Sequence, residues 1–252
     1  MIYLHLGKPK TGTTTIQSYL YQNRNTLRDN GYLYPDSGLV QKGHHNVYFD
    51  LAQHPHFNVN LGGMDLLIRE IKDFKDQKKS ASAVIISSET FSGANPELLD
   101  RLLEPLRALD KLTCILYLRS QQSYLRSFWA HLYRQGDMTY AFPRWAEWAI
   151  NTNQYGADYQ ENISLLSEVI TKEELKIVVY DKVPKASFCH YFMDLCEYPN
   201  PTSLQSLDRD ALNVSVLPGG LSDTVSELCH ERYATGNRFI ASEFLNCEQL
   251  FV

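Results

Sequence analysis

Short apolar runs alternate with stretches of helical periodicity along the whole chain, and this alternation restricts the fold more than any other feature. Residues 2–6 are apolar and end at Gly7, as a buried strand does. Residues 13–30 read as a helix, with Ile16, Tyr19, Leu20, Asn23 and Leu27 on one stripe and Gly31 as the stop. Further strands are predicted at 32–34 (closed by Pro35), 83–87, 112–118 and 175–180. Helices are predicted at 64–78, 96–109, 121–135, about 143–151, 158–171 and 184–196, and the tail over 221–246. Segment 199–220, with its prolines and glycines, reads as loop. Strands joined through helices pair in parallel, and such a sheet needs cover on both faces. The predicted class is therefore α/β, a central parallel sheet flanked by helices on both faces. We expect a single domain spanning 1–252 with a helical C-terminal part.

Two segments interrupt the alternation. Residues 36–62 are rich in His, Asn, Gly and Asp with little periodicity, and 136–160 joins two helices. Long irregular insertions in compact folds often serve function, so both are expected to shape a substrate pocket. Trp145, Trp148, Tyr140 and Phe142 lie in the second; helical packing is the simpler account of them, sugar stacking the other.

The formal net charge of −5 argues against a general nucleic-acid or anionic-membrane binder. Any anionic ligand must be met by a local cluster of donors. The five cysteines form no CxxC pair, which argues against a zinc site and for a reducing compartment, with Cys189 and Cys196 expected in the core. No apolar run approaches the ~18 residues of a membrane span. The first residues read as a strand and not as a leader, so a cytoplasmic location is expected.

Gly7-Lys8-Pro9-Lys10-Thr11-Gly12-Thr13-Thr14 sits between the first strand and the first helix, where backbone N–H groups and a helix N-terminus converge on an anion. The Gly7-to-Gly12 spacing matches a nucleotide-binding P-loop, so the sheet is expected to be P-loop-like. The lysine that should follow the second glycine is replaced by Thr13, and a lysine stands earlier, at Lys10. Triphosphate chemistry needs its lysine over the β- and γ-phosphates and a metal-holding Asp at a strand end. Here the third strand runs into Ser87-Ser88-Glu89 and the fourth into Arg119. A tight turn with a helix cap would need only one of Thr11, Thr13 and Thr14.

With these residues the chain resembles the sulfotransferases that use 3′-phosphoadenosine 5′-phosphosulfate (PAPS). Pro9-Lys10-Thr11-Gly12-Thr13-Thr14 is similar to their 5′-phosphosulfate loop, and Arg119 with Ser127 eight residues on is similar to their 3′-phosphate pair. Ile85-Ile86-Ser87-Ser88-Glu89, Tyr117-Leu118-Arg119 and Val178-Val179-Tyr180-Asp181 fall in the family's order, so the resemblance runs through most of the chain, toward bacterial glycan- or small-molecule-directed members. It implies sulfuryl transfer from PAPS to a hydroxyl or amine acceptor, a carbohydrate or other glycoconjugate, with no metal. The donor would be held by Lys10, Thr11, Gly12, Thr13, Thr14, Thr15, Arg119 and Ser127, with Lys10 stabilising the leaving group. Glu89 stands where soluble members carry a base histidine and other branches a glutamate; His44-His45 in the insert is the rival base. Tyr180 is the adenine-side candidate.

Two departures stand out: Thr15 replaces the aromatic that usually follows the loop, and Asn213-Val214-Ser215 with Gly219-Gly220 occupy the region of a late Arg-Lys-Gly segment. The alternatives are a P-loop kinase-like enzyme, disfavoured by the lysine position and the missing Asp, and a non-catalytic nucleotide-binding homologue. Acceptor identity and oligomeric state are not legible in the sequence.

Overall fold

The computed structural model describes residues 1–78, 83–207 and 223–251. The late part of the predicted 199–220 loop, including Asn213 to Ser215, Gly219 and Gly220, lies outside the described residues.

Among the described residues five strands form one sheet: β1 (Ile2–His5), β2 (Tyr32–Leu33), β3 (Ala83–Ser87), β4 (Leu112–Leu118) and β5 (Leu175–Val179). Their order is β2-β3-β1-β4-β5 and every pair is parallel, with Tyr3 opposite Ile85 in β3 and Thr113 in β4. Side chains alternate between two apolar layers. Ile2, Leu4, Val84, Ile86, Cys114 and Leu116 face one layer. It is completed by α3 (Met64–Gln77), α4 (Pro96–Arg107) and α7 (Tyr159–Leu166). Tyr3, Ile85, Ile115 and Tyr117 face the other, against α1 (Thr13–Asp29) and α8 (Phe188–Leu195). Helices thus cover both faces, as the alternation required.

A third cluster stands beside the sheet, where α5 (Gln121–Gln135), α6 (Phe142–Thr152) and α9 (Asp223–Leu245) pack together. It divides the aromatic group of the 136–160 segment. Phe142 and Trp145 are core residues, whereas Tyr140 and Trp148 are exposed. The cysteine pair divides too: Cys196 is buried and Cys189 half-buried.

Two predicted helices are shorter than their periodicity, and tertiary bonds account for both. α7 ends at Leu166, not 171, because Arg107 Nη2 donates to Val169 O (2.6 Å) while the Glu174 carboxylate takes Thr171 N–H, turning the chain into β5. α8 starts at Phe188, not 184, after a tight turn over Lys185–Ser187 in which Lys185 Nζ donates to Tyr180 O. The 36–62 insert contains a short α-helix, α2 (His45–Leu51), fastened by Asn46, which donates to Asn58 O and Gly62 O, and a single 3-10 turn at Val59–Leu61. No described helix is long and apolar enough to cross a membrane.

Candidate functional site

β1 lies between β3 and β4, so the chain leaves β1 in one direction across the sheet and returns to build the other half. The crevice at the strands' C-terminal ends opens at such a reversal. The Gly7–Thr14 loop fills it. Its bends need left-handed backbone at Gly7 (φ 55°), Lys10 (φ 66°) and Gly12 (φ 83°). Thr11 Oγ1 and Thr13 Oγ1 both donate to Lys8 O, at 2.6 and 3.1 Å, so two of the three hydroxyls expected to face a ligand instead close the loop on itself. Thr14 remains exposed. Gly12 precedes α1 with no side-chain cap, and no acidic residue sits in the first turn. The positive end of α1 is therefore left to an outside anion.

Gly12 is required twice, by its φ and by space. A Cβ there would lie 2.6 Å from two carbons of the Phe188 ring. Gly12→Ala is expected to cost about 1–2 kcal/mol from left-handed strain alone, more with the ring displaced, and urea denaturation measures it. A variant as stable as the parent would refute this account of the loop.

In front of the loop is a cleft of about 310 Å³ lined by Pro9, Lys10, Gly12, Thr13, Thr14, Thr15, Glu89, Arg119, Ser127, His131, Arg134 and Tyr180. Of the loop residues expected to hold the donor, Thr11 does not line this cleft and is fully buried. Arg119 leaves the end of β4 and donates through Nη1 to Lys10 O (3.1 Å), tying the strand to the loop. Its Nε lies 4.0 Å from Asp181 Oδ1 without a hydrogen bond, and its guanidinium sits 5.3 Å from the Tyr180 ring centre. Tyr180 meets Phe188 edge-on and carries Lys185 Nζ 3.2 Å from its ring centre. Burial first, and the charge of Arg134 second, hold Lys10 below the usual lysine range, with Glu89 pulling the other way.

Glu89 follows β3 and reaches a cleft wall half-buried. Gln17 Nε2 bridges Ser87 Oγ and Glu89 Oε2, both at 3.4 Å, and Ser87 Oγ also meets His5 Nδ1 at 2.8 Å. Close to the carboxylate the tandem histidines part company. His44 is fully buried, its ring bonded to Pro35 O (3.1 Å) and to Ser87 N–H (3.1 Å), and burial lowers its pKa to about 4. This corrects the reading of His44 as a candidate base: packed under the sheet end, it holds the insert and reaches no cleft. His45 bonds Ser88 Oγ at 2.6 Å; burial lowers its pKa while Glu89 opposes the shift.

Glu89 and Pro9 also line a second, larger cavity of about 510 Å³ on the far side of the carboxylate. Its other walls come from Tyr48 in the 36–62 insert, Asn153–Gly156 in the 136–160 segment, and α5 and α7. The two cavities meet at Glu89.

No protein-family model matches this sequence, and no curated protein matches it. A solved structure does: the crystal structure of a sulfotransferase from Alicyclobacillus acidocaldarius, with a TM-score of 0.61 over 96% of this chain and 95% of that one. The two chains share a fold. At 14% identity the likeness is one of fold alone.

His131, Arg134 and Lys8, which line the cavities, and Gln17, which bonds Glu89, escaped the sequence reading. His131 and Arg134 lie four and seven residues beyond Ser127, so helical spacing from Ser127 would have found them. Gln17 carried a weaker signal, a polar residue beside the apolar stripe of α1. Lys8 carried none, because nothing local tells which of two neighbouring lysines faces which cavity. Among the described residues, no group of His, Cys, Asp and Glu gathers to hold a metal ion.

Proposed function

We propose that this chain transfers a sulfuryl group from PAPS to an oxygen or nitrogen acceptor. The observation that carries the reading is the meeting of two cavities at one carboxylate: a cationic cleft over an uncapped helix terminus on one side, a roomier, mostly neutral cavity on the other. Support also comes from the shared fold with a sulfotransferase and from the loop and Arg119/Ser127 motifs.

The chemistry of the cleft residues fits the donor. The α1 terminus and the loop N–H groups suit a 5′-phosphate, while Arg119 and Ser127, with His131 and Arg134 beside them, suit a 3′-phosphate. Tyr180 offers a ring face for the base. The donor supplies a sulfuryl group on a phosphate leaving group. In the proposed step an acceptor O–S bond forms as the S–O bond to the phosphate breaks. Glu89 takes the acceptor proton, and Lys10 meets the charge growing on the departing oxygen.

Calorimetric titration tests the donor side. 3′-Phosphoadenosine 5′-phosphate is expected to bind without metal and ATP with Mg²⁺ to bind far more weakly. The reverse order would sink the reading in favour of a kinase-like enzyme. Tight binding of the nucleotide with no transfer to any acceptor would mark a binding protein.

A further inference from the structure

Lys8 belongs to the loop by sequence but lines the second cavity, not the cationic cleft. It is 4% exposed. Its Nζ lies 5.5 and 5.3 Å from the ring centres of Tyr124 and Tyr159, and it has no hydrogen-bond or ion-pair partner among the described residues. Both tyrosine hydroxyls are spent elsewhere, on Tyr155 O and Arg119 O, each at 2.7 Å. An ammonium withdrawn from water without a counter-charge costs several kcal/mol, which two aromatic faces offset only in part. Burial lowers its pKa to about 8.

Another wall of the cavity has the opposite deficit. Asn162 Nδ2 donates to Ser92 O (2.9 Å), which fixes the amide's orientation and leaves its buried Oδ1 with nothing to accept. Lys8 and Asn162 thus line one cavity, and among the described residues neither the Lys8 ammonium nor the Asn162 amide oxygen has a hydrogen-bond partner. Unpaired polar atoms of this kind mark a place where a ligand completes the bonding.

The carboxylates nearby do not answer Lys8. Asp158 Oδ1 accepts from Glu161 N–H to cap α7, and its Oδ2 lies 3.8 Å from Arg232. Glu161 accepts from Asn153 Nδ2. The capped α7 offers no free helix terminus, and Pro9, next to Lys8, has no N–H. One ammonium suits one carboxylate; a phosphate or sulfate would find none of the convergent donors that the loop presents. Phe128 and Tyr155, 4.6 Å apart between ring centres and tilted at 46°, supply apolar ring surfaces for the body of a ring.

We propose that this cavity holds the acceptor and that the acceptor is a hydroxylated, ring-containing carboxylate. Its carboxylate pairs with Lys8, one hydroxyl donates to Asn162 Oδ1, and another is presented to Glu89. That the bound acid is an acceptor, and the role given to Glu89, rest on the sulfuryl-transfer reading; selection of the carboxylate stands on the cavity alone.

Ligand-observed NMR titrations with glucuronate and glucose, and with 4-hydroxybenzoate and phenol, test this on the full chain. At least one acid is expected to bind tenfold or more tighter than its neutral counterpart, and the arm that does so tells a sugar ring from an aromatic one. Lys8→Met, which keeps length and packs between the tyrosines, should erase the preference; Asn162→Ala should weaken binding and leave the preference intact. Acid and neutral probes binding alike, no probe binding, or a preference that survives Lys8→Met would each overturn the proposal. A failed nucleotide titration beside an intact acid preference would sink the donor reading and not this one.

Discussion

Lys10→Ala is expected to lower turnover by about 10²–10³-fold, the scale seen when one preorganised donor to a developing oxyanion is removed. The proposed role falls on a residue held in place: its backbone takes left-handed φ, its carbonyl accepts from Arg119, and its ammonium stands 5.7 Å from the Phe128 ring centre. Affinity for 3′-phosphoadenosine 5′-phosphate should fall as well, by roughly tenfold or more, since a charged hydrogen bond contributes about 1.5–3 kcal/mol. Alanine keeps the bonds that the Thr11 and Thr13 hydroxyls donate to Lys8 O, so a loss is not explained by a collapsed loop. A variant that binds the nucleotide as well as the parent would sink the assignment of the loop.

Glu89→Gln is expected to reduce kcat by about 10²–10⁴-fold, the usual contribution of a positioned general base, with nucleotide affinity unchanged. Glutamine retains the size of the side chain and an oxygen for the Gln17 bond at 3.4 Å. The negative charge and the capacity to take a proton are lost. Turnover near that of the parent, with nucleotide binding intact, would remove Glu89 from the mechanism and leave His45 as the group to test, since it is electrostatically tied to Glu89. His44→Gln is no substitute for that experiment: its ring holds Pro35 and Ser87 in place, so its loss reads as stability.

The strand and helix order was legible because each element carries its own period. Buried strands of β-branched residues and an apolar stripe every three to four residues are local patterns. β3, β4 and α5 coincide with their predicted spans for that reason. Where the outcome differed, the deciding bonds came from far along the chain. Arg107 reaches 62 residues to Val169 O and ends α7 before its period runs out. Histidines adjacent in sequence diverged because one faces Pro35 and Ser87 under the sheet and the other faces Ser88.

The loop between β1 and α1 shows the division most clearly. Its glycines, the lysine set before the second glycine, and the helix that follows are written in eight consecutive residues, because turn geometry and an uncapped helix terminus depend on neighbours in the chain. The direction of each side chain does not. Lys8 and Lys10 are two positions apart, yet one is enclosed by Tyr124 and Tyr159 and the other lines the cleft with Arg119 and Arg134. Those partners lie more than a hundred residues away, so only packing of α5 and α7 against the strand ends separates a cationic cleft from the cavity that Lys8 enters, with Glu89 on the wall between them.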